Sequence, residues 1–230
     1  MSGGLNINIE NDELSRKLGG VLPLQSFVLV EGAAGLGKSV VAQRIAYSAV
    51  LNNATVTYIN TEMSVSSFIP QLSSLGYDVS QYVLNKSFKY VSVFSSMYTL
   101  SYEDDILAKI MHKKDLFESD LIVFDSFNDL LLQTDATSSQ VFELLTFLRK
   151  IVTLGKTILF CVDSDNIHKE FFERLQRMSE VYFRLYEKEV YDNMVKILKV
   201  QRFQGATNEY PDELPFKVRA GMGIIIDISN

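Results

Sequence analysis

Runs of apolar residues alternate with amphipathic stretches along the chain up to residue 162. Short apolar runs between turn residues predict buried strands, whereas apolar residues spaced three and four apart predict a helix that packs on one face. Strands that alternate with helices form a parallel sheet, because each helix returns the chain to the same edge. The predicted strands are 27–30, 54–60, 89–94, 121–124 and 157–162, and the predicted helices are 40–51, 66–75, 102–112 and 138–154.

The pattern changes after residue 180, where β-type segments follow one another with little predicted helix between them. This favours an antiparallel extension of the sheet. We therefore predict an α/β fold with a mainly parallel central sheet, flanking helices and antiparallel C-terminal strands. Residues 1–13 are predicted to form a flexible leader or a short edge element, and residues 14–230 a single domain. The β-type segments are 181–187, 194–201, 216–220 and 223–228.

Composition and charge narrow the class of protein. Hydrophobic residues make up 47% of the 230, which is ample for a buried core. The net charge of −6 argues against a protein that coats nucleic acid, because such proteins present a basic face. The single cysteine, Cys161, excludes an intramolecular disulfide and suits a reducing compartment. No apolar signal segment opens the chain and no run approaches about 18 apolar residues, so we expect a cytoplasmic protein without direct membrane insertion.

A glycine-rich segment between the first predicted core strand and its helix fits the phosphate-binding pattern G-x-x-x-x-G-K-[ST]. Its glycines let the backbone approach phosphate oxygens and point N–H groups at them, and the helix start adds positive potential. Lys38 is predicted to reach the β- and γ-phosphates, and the Ser39 hydroxyl to ligate magnesium. The predicted nucleotide-binding residues are Gly32, Ala33, Ala34, Gly35, Leu36, Gly37, Lys38, Ser39 and Val40.

Two carboxylates follow apolar strands and are expected at the same edge of the sheet. Asp125 ends the run 121–124, and we predict that it holds magnesium through water beside the phosphate loop. Glu62 follows the segment 58–61 and is a candidate for orienting a water molecule towards the γ-phosphate. The alternatives are a turn after the strand for Asp125 and a helix cap for Glu62.

Two further segments carry candidate polar residues. Asp163 and Ser164 end the strand 157–162, where a polar side chain can sense the γ-phosphate; a loop cap explains them equally well. Lys199 and Arg202 lie on or just after the segment 194–201, and either could reach the nucleotide of a neighbouring subunit as an arginine-finger-type group. A solvated strand face is the alternative explanation.

These motifs together resemble the RecA superfamily, in its KaiC-like branch. The resemblance covers residues 14–228. Within the branch, the chain is most similar to the accessory ATP-binding proteins of the archaeal flagellum, the archaellum. The resemblance rests on the phosphate loop, the segments 58–62 and 75–79, the apolar strand that ends in Asp125-Ser126, and the segment 197–202 with the strands after it.

The resemblance implies a RecA-like P-loop NTPase core that assembles as a homo-oligomeric ring, such as a hexamer, and binds ATP with Mg²⁺. It implies a regulatory role: docking on the motor ATPase of the archaellum and on its membrane-anchored scaffold protein, at the inner face of the membrane. KaiC-like ATPases often carry two adjacent glutamates after the second strand, and here Met63 stands beside Glu62. Because a thioether cannot accept a proton from water, we expect weak or no hydrolysis.

Two other functions stay open at this point. An active KaiC-like ATPase or autokinase would need a phosphate-accepting Ser or Thr near a subunit boundary, and the sequence singles out none. A RadA-like DNA-binding recombinase would need basic or aromatic loops after the fourth and fifth strands. Residues 126–148 contain no Lys or Arg, so nucleic acid is not an expected partner.

Overall fold

The computed structural model describes residues 4–10, 12–93, 106–133, 137–190, 193–206 and 209–227. Its strands are β1 (Gly4–Asn6), β2 (Val21–Pro23), β3 (Phe27–Glu31), β4 (Val56–Asn60), β5 (Phe88–Ser92), β6 (Leu121–Asp125), β7 (Thr157–Val162), β8 (Val181–Val190), β9 (Asn193–Phe203), β10 (Glu213–Arg219) and β11 (Gly223–Ile226). Its α-helices are α1 (Glu13–Lys17), α2 (Lys38–Leu51), α3 (Val65–Ser74), α4 (Ser80–Leu84), α5 (Ile106–His112), α6 (Phe127–Gln133), α7 (Ser138–Thr153) and α8 (Lys169–Met178). Two short 3₁₀ helices span Lys114–Phe117 and Ser164–Asn166.

Nine of these strands form one sheet in the order β11-β10-β9-β8-β3-β7-β6-β4-β5. The six strands from β8 to β5 in this order pair in parallel. From β8 to β11 the pairing is antiparallel. The predicted fold class is therefore confirmed, because the crossover helices occur only where the strands run parallel.

Helices cover both faces of the parallel strands, which explains why β3, β4, β6 and β7 are buried along their whole length. Alternate residues of each strand face opposite helix layers. Val28 on β3 belongs to the core cluster with Val41 of α2, whereas Leu29 belongs to the cluster with Leu144 of α7. The parallel sheet is thus the middle of three layers.

The structure contains helices that the apolar pattern did not predict. α6 starts almost at the end of β6, and α8 fills the interval between β7 and β8. α8 buries only Phe171 and Leu175, so its apolar stripe is too short to stand out in the sequence. The helix predicted at 102–112 is observed from Ile106, and residues 101–105 lie outside the described part of the chain.

Residues 4–7 pack against the rest of the molecule, where the sequence analysis expected a flexible leader or an edge element. β1 pairs with β2 in an antiparallel register, with Leu5 opposite Leu22. Leu5 and Ile7 are both buried, because the alternation of apolar and polar residues turns one face of this segment inward. β1 and β2 form a separate two-stranded sheet, so β1 is not an edge strand of the nine-stranded sheet. Within the described ranges, no helix has the length and apolar character to cross a bilayer.

Candidate functional site

The carboxyl ends of the central parallel strands meet at one edge of the sheet, where open α/β folds place their ligands. Residue Asn60 at the end of β4 pairs with Asp125 at the end of β6, so both strands end at the same level. A cavity of about 450 Å³ opens at this edge. Its lining residues are Ala34, Gly35, Gly37, Lys38, Ser39, Val40, Glu62, Asp125, Ser126, Asn128, Asp129, Asp163 and Asn166.

The phosphate loop has the backbone geometry that its glycines predict. Gly37 has φ of 102°, in the left-handed region that glycine adopts without a Cβ clash. A Cβ on Gly32 would lie 3.0 Å from both the Cβ and the carbonyl oxygen of Leu185. α2 begins at Lys38, whose Nζ donates to the carbonyl oxygens of Gly32 at 2.6 Å and Ala33 at 3.0 Å. The ammonium group therefore lies over the loop, at the N-terminus of a long helix.

Asp125 is buried next to Ser39 and is held by several donors. The Ser39 hydroxyl donates to Oδ1 at 2.9 Å, and the Tyr58 hydroxyl donates to Oδ2 at 2.7 Å. Asn60 Nδ2 donates to Oδ2 at 3.3 Å. Burial raises the pKa of the Asp125 carboxyl, whereas the hydrogen bonds from Tyr58 and Ser39 lower it. These contacts fix the orientation of the carboxylate with one oxygen facing the phosphate loop.

The donor set at this point fits a magnesium ion. Mg²⁺ prefers oxygen ligands and is commonly held by a hydroxyl, a carboxylate and water beside nucleotide phosphates. The Ser39 hydroxyl and the Asp125 carboxylate supply two such oxygens in direct contact with each other. Both residues line the cavity beside Lys38, so a bound phosphate group would lie next to them.

Glu62 lies at the mouth of the cavity and is exposed. Asn60 Oδ1 accepts hydrogen bonds from the backbone N–H groups of Glu62 at 2.8 Å and Met63 at 2.6 Å, which fixes the turn after β4. The N-cap residue of α3 is Ser64, so Glu62 does not cap that helix. Partial loss of water, a hydrogen bond to Asp129 and the nearby charges raise the pKa of Glu62 to about 7.

We expect Glu62→Gln to raise the melting temperature of the nucleotide-free protein at pH 8, with little change at pH 5. The pKa of this carboxyl rises from 4.5 to about 7 on folding, so the folded state holds the proton more tightly. The stability that this contributes is complete below about pH 4.5 and is lost as the pH rises through about 7. Glutamine carries no charge at either pH and avoids that loss. Thermal unfolding followed by circular dichroism from pH 5 to 8 measures the effect.

Glu143→Gln on α7 is the matched control, because Glu143 is an exposed glutamate that does not line the cavity. Its melting temperature should follow that of the unmodified protein at every pH. An equal shift in both variants at pH 8 would contradict a specific role for the Glu62 carboxyl.

Asp163 lines the cavity, and Ser164 is not among the described residues that do so. The Asp163 side chain accepts from the backbone N–H of Asp165 at 3.0 Å and from Asn166 Nδ2 at 2.9 Å. The Asn128 side chain binds two backbone groups of Asp163. Its Oδ1 accepts from the Asp163 N–H at 2.7 Å, and its Nδ2 donates to the Asp163 carbonyl oxygen at 2.6 Å. The loop cap that the sequence allowed is therefore present, and it holds Asp163 at the wall of the cavity.

The two candidates for action on a neighbouring subunit have different surroundings, and neither lines the cavity in the described part of the chain. Arg202 Nη1 donates to the carbonyl oxygens of Gln176 at 2.8 Å and Ser179 at 2.7 Å, at the C-terminal end of α8. Lys199 Nζ lies 3.9 Å from Glu213 and is partly exposed. Arg202 thus has a structural contact within its own chain, and Lys199 is the freer of the two cations.

Several residues at the site were missed by sequence reasoning. Lys196 on β9 donates from Nζ to the carbonyl oxygen of Gly35 at 2.6 Å, which ties the antiparallel strands to the phosphate loop. Tyr58 and Asn60 were noted as part of a motif, without their contacts to Asp125. Asn128 and Asp129 follow β6 on α6 and carry no pattern of their own. The position of Asn128 after the Asp125-containing strand was the only signal that could have indicated it.

The parallel sheet, the phosphate loop and the buried aspartate beside it define a P-loop nucleotide-binding protein with the RecA-type fold. A family model described as "ATPase: KaiC" matches residues 8–229, and the chain belongs to this family.

Similar proteins of known name extend over nearly the whole chain. The archaeal flagellar ATP-binding protein FlaH of Methanococcus voltae is 27% identical over 224 residues, which cover 97% of each chain. The crystal structure of the flagellar accessory protein FlaH from Methanocaldococcus jannaschii has a TM-score of 0.90 at 27% identity, and covers 99% of this chain and 100% of that one. The KaiC-like protein of Pyrococcus horikoshii, at 15% identity and a TM-score of 0.76 over 99% and 100% of the chains, shares the fold.

Proposed function

We propose that this protein is a Mg-ATP-binding regulatory and assembly component of the archaellum motor, with weak or no ATP hydrolysis. The observation that carries the proposal is a complete phosphate loop, with oxygen donors beside it that fit magnesium, next to a Glu62 that is followed by Met63 instead of a second glutamate. Lys38, Ser39 and Asp125 lie together at the cavity. The residue after Glu62 is Met63, whose carbonyl oxygen accepts from Tyr90 at 2.7 Å and Ser92 at 2.8 Å.

Each residue has a role in this proposal. The Lys38 ammonium neutralises the charge of the β- and γ-phosphates, and the loop N–H groups hold their oxygens. Ser39 ligates magnesium directly and Asp125 through water; the ion, when bound, neutralises phosphate charge. Asp163, held by Asn128, is the candidate sensor of the γ-phosphate.

Weak hydrolysis follows from the chemistry around Glu62. The pKa of Glu62, raised to about 7, suits a general base, so the expected weakness does not come from the Glu62 carboxyl itself. The adjacent glutamate that KaiC-like ATPases often carry is replaced here by Met63, whose thioether accepts no proton. ATP then acts as a ligand that stabilises one conformation or assembly state rather than as a fuel.

The relatives named FlaH are described as archaeal flagellar ATP-binding and flagellar accessory proteins, which supports a place in the archaellum. We propose that the ATP-loaded protein docks on the motor ATPase and on the membrane-anchored scaffold protein of that machine. It would then lie in the cytoplasm, at the inner face of the membrane through these partners. A homo-oligomeric ring would bring the Lys199 of one subunit towards the cavity of its neighbour.

The direct test is the chemical identity of the bound nucleotide over time. Purified protein is loaded with Mg-ATP, freed of excess nucleotide and sampled for about an hour, with ATP and ADP separated by chromatography. We expect ATP to stay intact, because Met63 stands in place of the second glutamate beside Glu62. Steady conversion to released ADP, lost in Glu62→Gln, would instead establish an active KaiC-like ATPase and would contradict the regulatory proposal.

A further inference from the structure

A groove runs between α7 and α8 on the sheet face opposite α2. It has a volume of about 450 Å³. Phe142, Leu145 and Met178 form its apolar part. Phe142 keeps 57% of its surface exposed, which is unusual for a phenylalanine in the middle of a packed helix. The groove therefore offers an apolar surface that the described residues leave open.

The rest of the groove is basic. Four of its nine lining residues are Arg or Lys and none is acidic, although the whole chain carries a net charge of −6. Arg149 is engaged within the chain, 3.1 Å from Glu180 and 5.4 Å from the centre of the Phe27 ring. Arg174 lies 5.4 Å from the centre of the Phe142 ring. The remaining basic lining residues are Lys150 and Arg177.

The groove continues towards the nucleotide site. A second cavity, of about 350 Å³, shares Phe142, Leu145 and Arg174 with the groove. It shares Asn128 and Asn166 with the nucleotide cavity. The Asn128 side chain binds the backbone of Asp163, and the Asn166 side chain donates to the Asp163 carboxylate. A change in Asp163 on nucleotide binding would therefore move walls of the second cavity, which shares three residues with the groove.

We propose that the α7–α8 groove docks an acidic segment of a partner protein, one that carries an apolar anchor side chain. The inference rests on the proposed function, since the partner is the protein that recognises the ATP-loaded state. Acidic side chains complement Lys150, Arg174 and Arg177, and the anchor packs against Phe142 and Leu145 in place of water. A short acidic segment needs only these few cations, whereas a long polyanion would face the negative charge of the rest of the chain.

The test uses full-length protein carrying Arg174→Glu and Arg177→Glu, with Lys113→Glu and Lys114→Glu as the matched control. Both pairs are exposed, and both double variants change the net charge by the same amount. Binding to the purified motor ATPase is titrated with and without Mg-ATP at several salt concentrations, and ATP binding is measured separately. We expect the groove variant to weaken docking by about tenfold or more and to lose most of its salt dependence, with ATP binding unchanged.

The outcomes separate this inference from the proposed function. ATP-dependent docking that is equal in both variants would overturn the groove and leave the function intact. Docking that is equally tight with and without Mg-ATP, but is lost in the groove variant, would support the groove as the docking site and contradict nucleotide-dependent docking. A complete absence of docking would overturn both. Two further results would also overturn the proposal: groove-dependent binding of a 20-residue oligothymidylate, and a change of oligomeric state in the groove variant alone, which would make the occupant a second copy.

Discussion

Lys38→Ala is expected to weaken ATP binding by about 100-fold or more. The Lys38 ammonium lies 2.6 Å from the Gly32 carbonyl oxygen, at the wall of the cavity where the β- and γ-phosphates would bind. A hydrogen bond to a charged group contributes about 1.5–3 kcal/mol, and about 1.4 kcal/mol corresponds to tenfold in affinity. Loss of two such bonds gives the expected factor. Isothermal titration with Mg-ATP measures it.

The same variant tests whether docking depends on nucleotide. If ATP stabilises the docking-competent state, the Lys38→Ala variant also binds the motor ATPase more weakly. Its apparent affinity falls in proportion to the fraction of molecules that remain in the docking-competent state. Lys114→Ala is the control, since this exposed lysine lies far from the cavity. A Lys38→Ala protein that binds no ATP yet keeps full affinity for the motor would contradict nucleotide-dependent docking.

Arg44→Ala is expected to lower the free energy of unfolding by about 3–5 kcal/mol, because it leaves a partly buried carboxylate unpaired. Arg44 on α2 is 1% exposed. Its Nε donates to Asp12 at 2.8 Å, its Nη1 donates to the carbonyl oxygen of Ile7 at 3.0 Å, and its Nη2 contacts Asp12 and Ser15. Equilibrium unfolding in urea at pH 7 measures the change.

Arg16→Ala provides the matched control. Arg16 forms an ion pair with Glu13 in the same part of the chain, but its side chain is 70% exposed. Exposed ion pairs contribute about 0–1 kcal/mol, so this variant should unfold almost as the unmodified protein does. Similar losses in the two variants would show that burial of the Arg44 guanidinium is not what anchors the N-terminal segment.

The positions of the central strands were largely predictable from the sequence. The boundaries of β3, β6 and β7 differ by at most a residue from the predicted ones, because a strand buried on both faces needs an unbroken apolar run. Prediction was weaker for α8, which has few buried residues, and for the N-terminal segment, where the Ile7 carbonyl oxygen accepts from Arg44, 37 residues further along the chain.

The candidate site likewise has features that local sequence predicts and contacts that it does not. The phosphate loop is a contiguous motif, so its identity and its place between β3 and α2 required only local sequence. Arg202 was a reasonable candidate for action on a neighbouring subunit from its position just after the predicted segment 194–201, yet its guanidinium binds the end of α8. Only the tertiary structure shows this contact, because its partners are Gln176 and Ser179, more than twenty residues away.

Local sequence was enough to predict the α/β fold class, the phosphate loop, and Asp125 and Glu62 as carboxylates at one edge of the sheet. Each of these depends on a local pattern: the period of apolar residues, glycines at fixed spacing, or a polar residue directly after a buried strand. The contacts of these groups are visible only in the folded chain. The hydrogen bond from Lys196 to the phosphate loop, the buried Arg44–Asp12 pair and the basic groove between α7 and α8 join segments that are remote in sequence. Packing, rather than local pattern, brings such segments together, because their burial is shared among several elements at once.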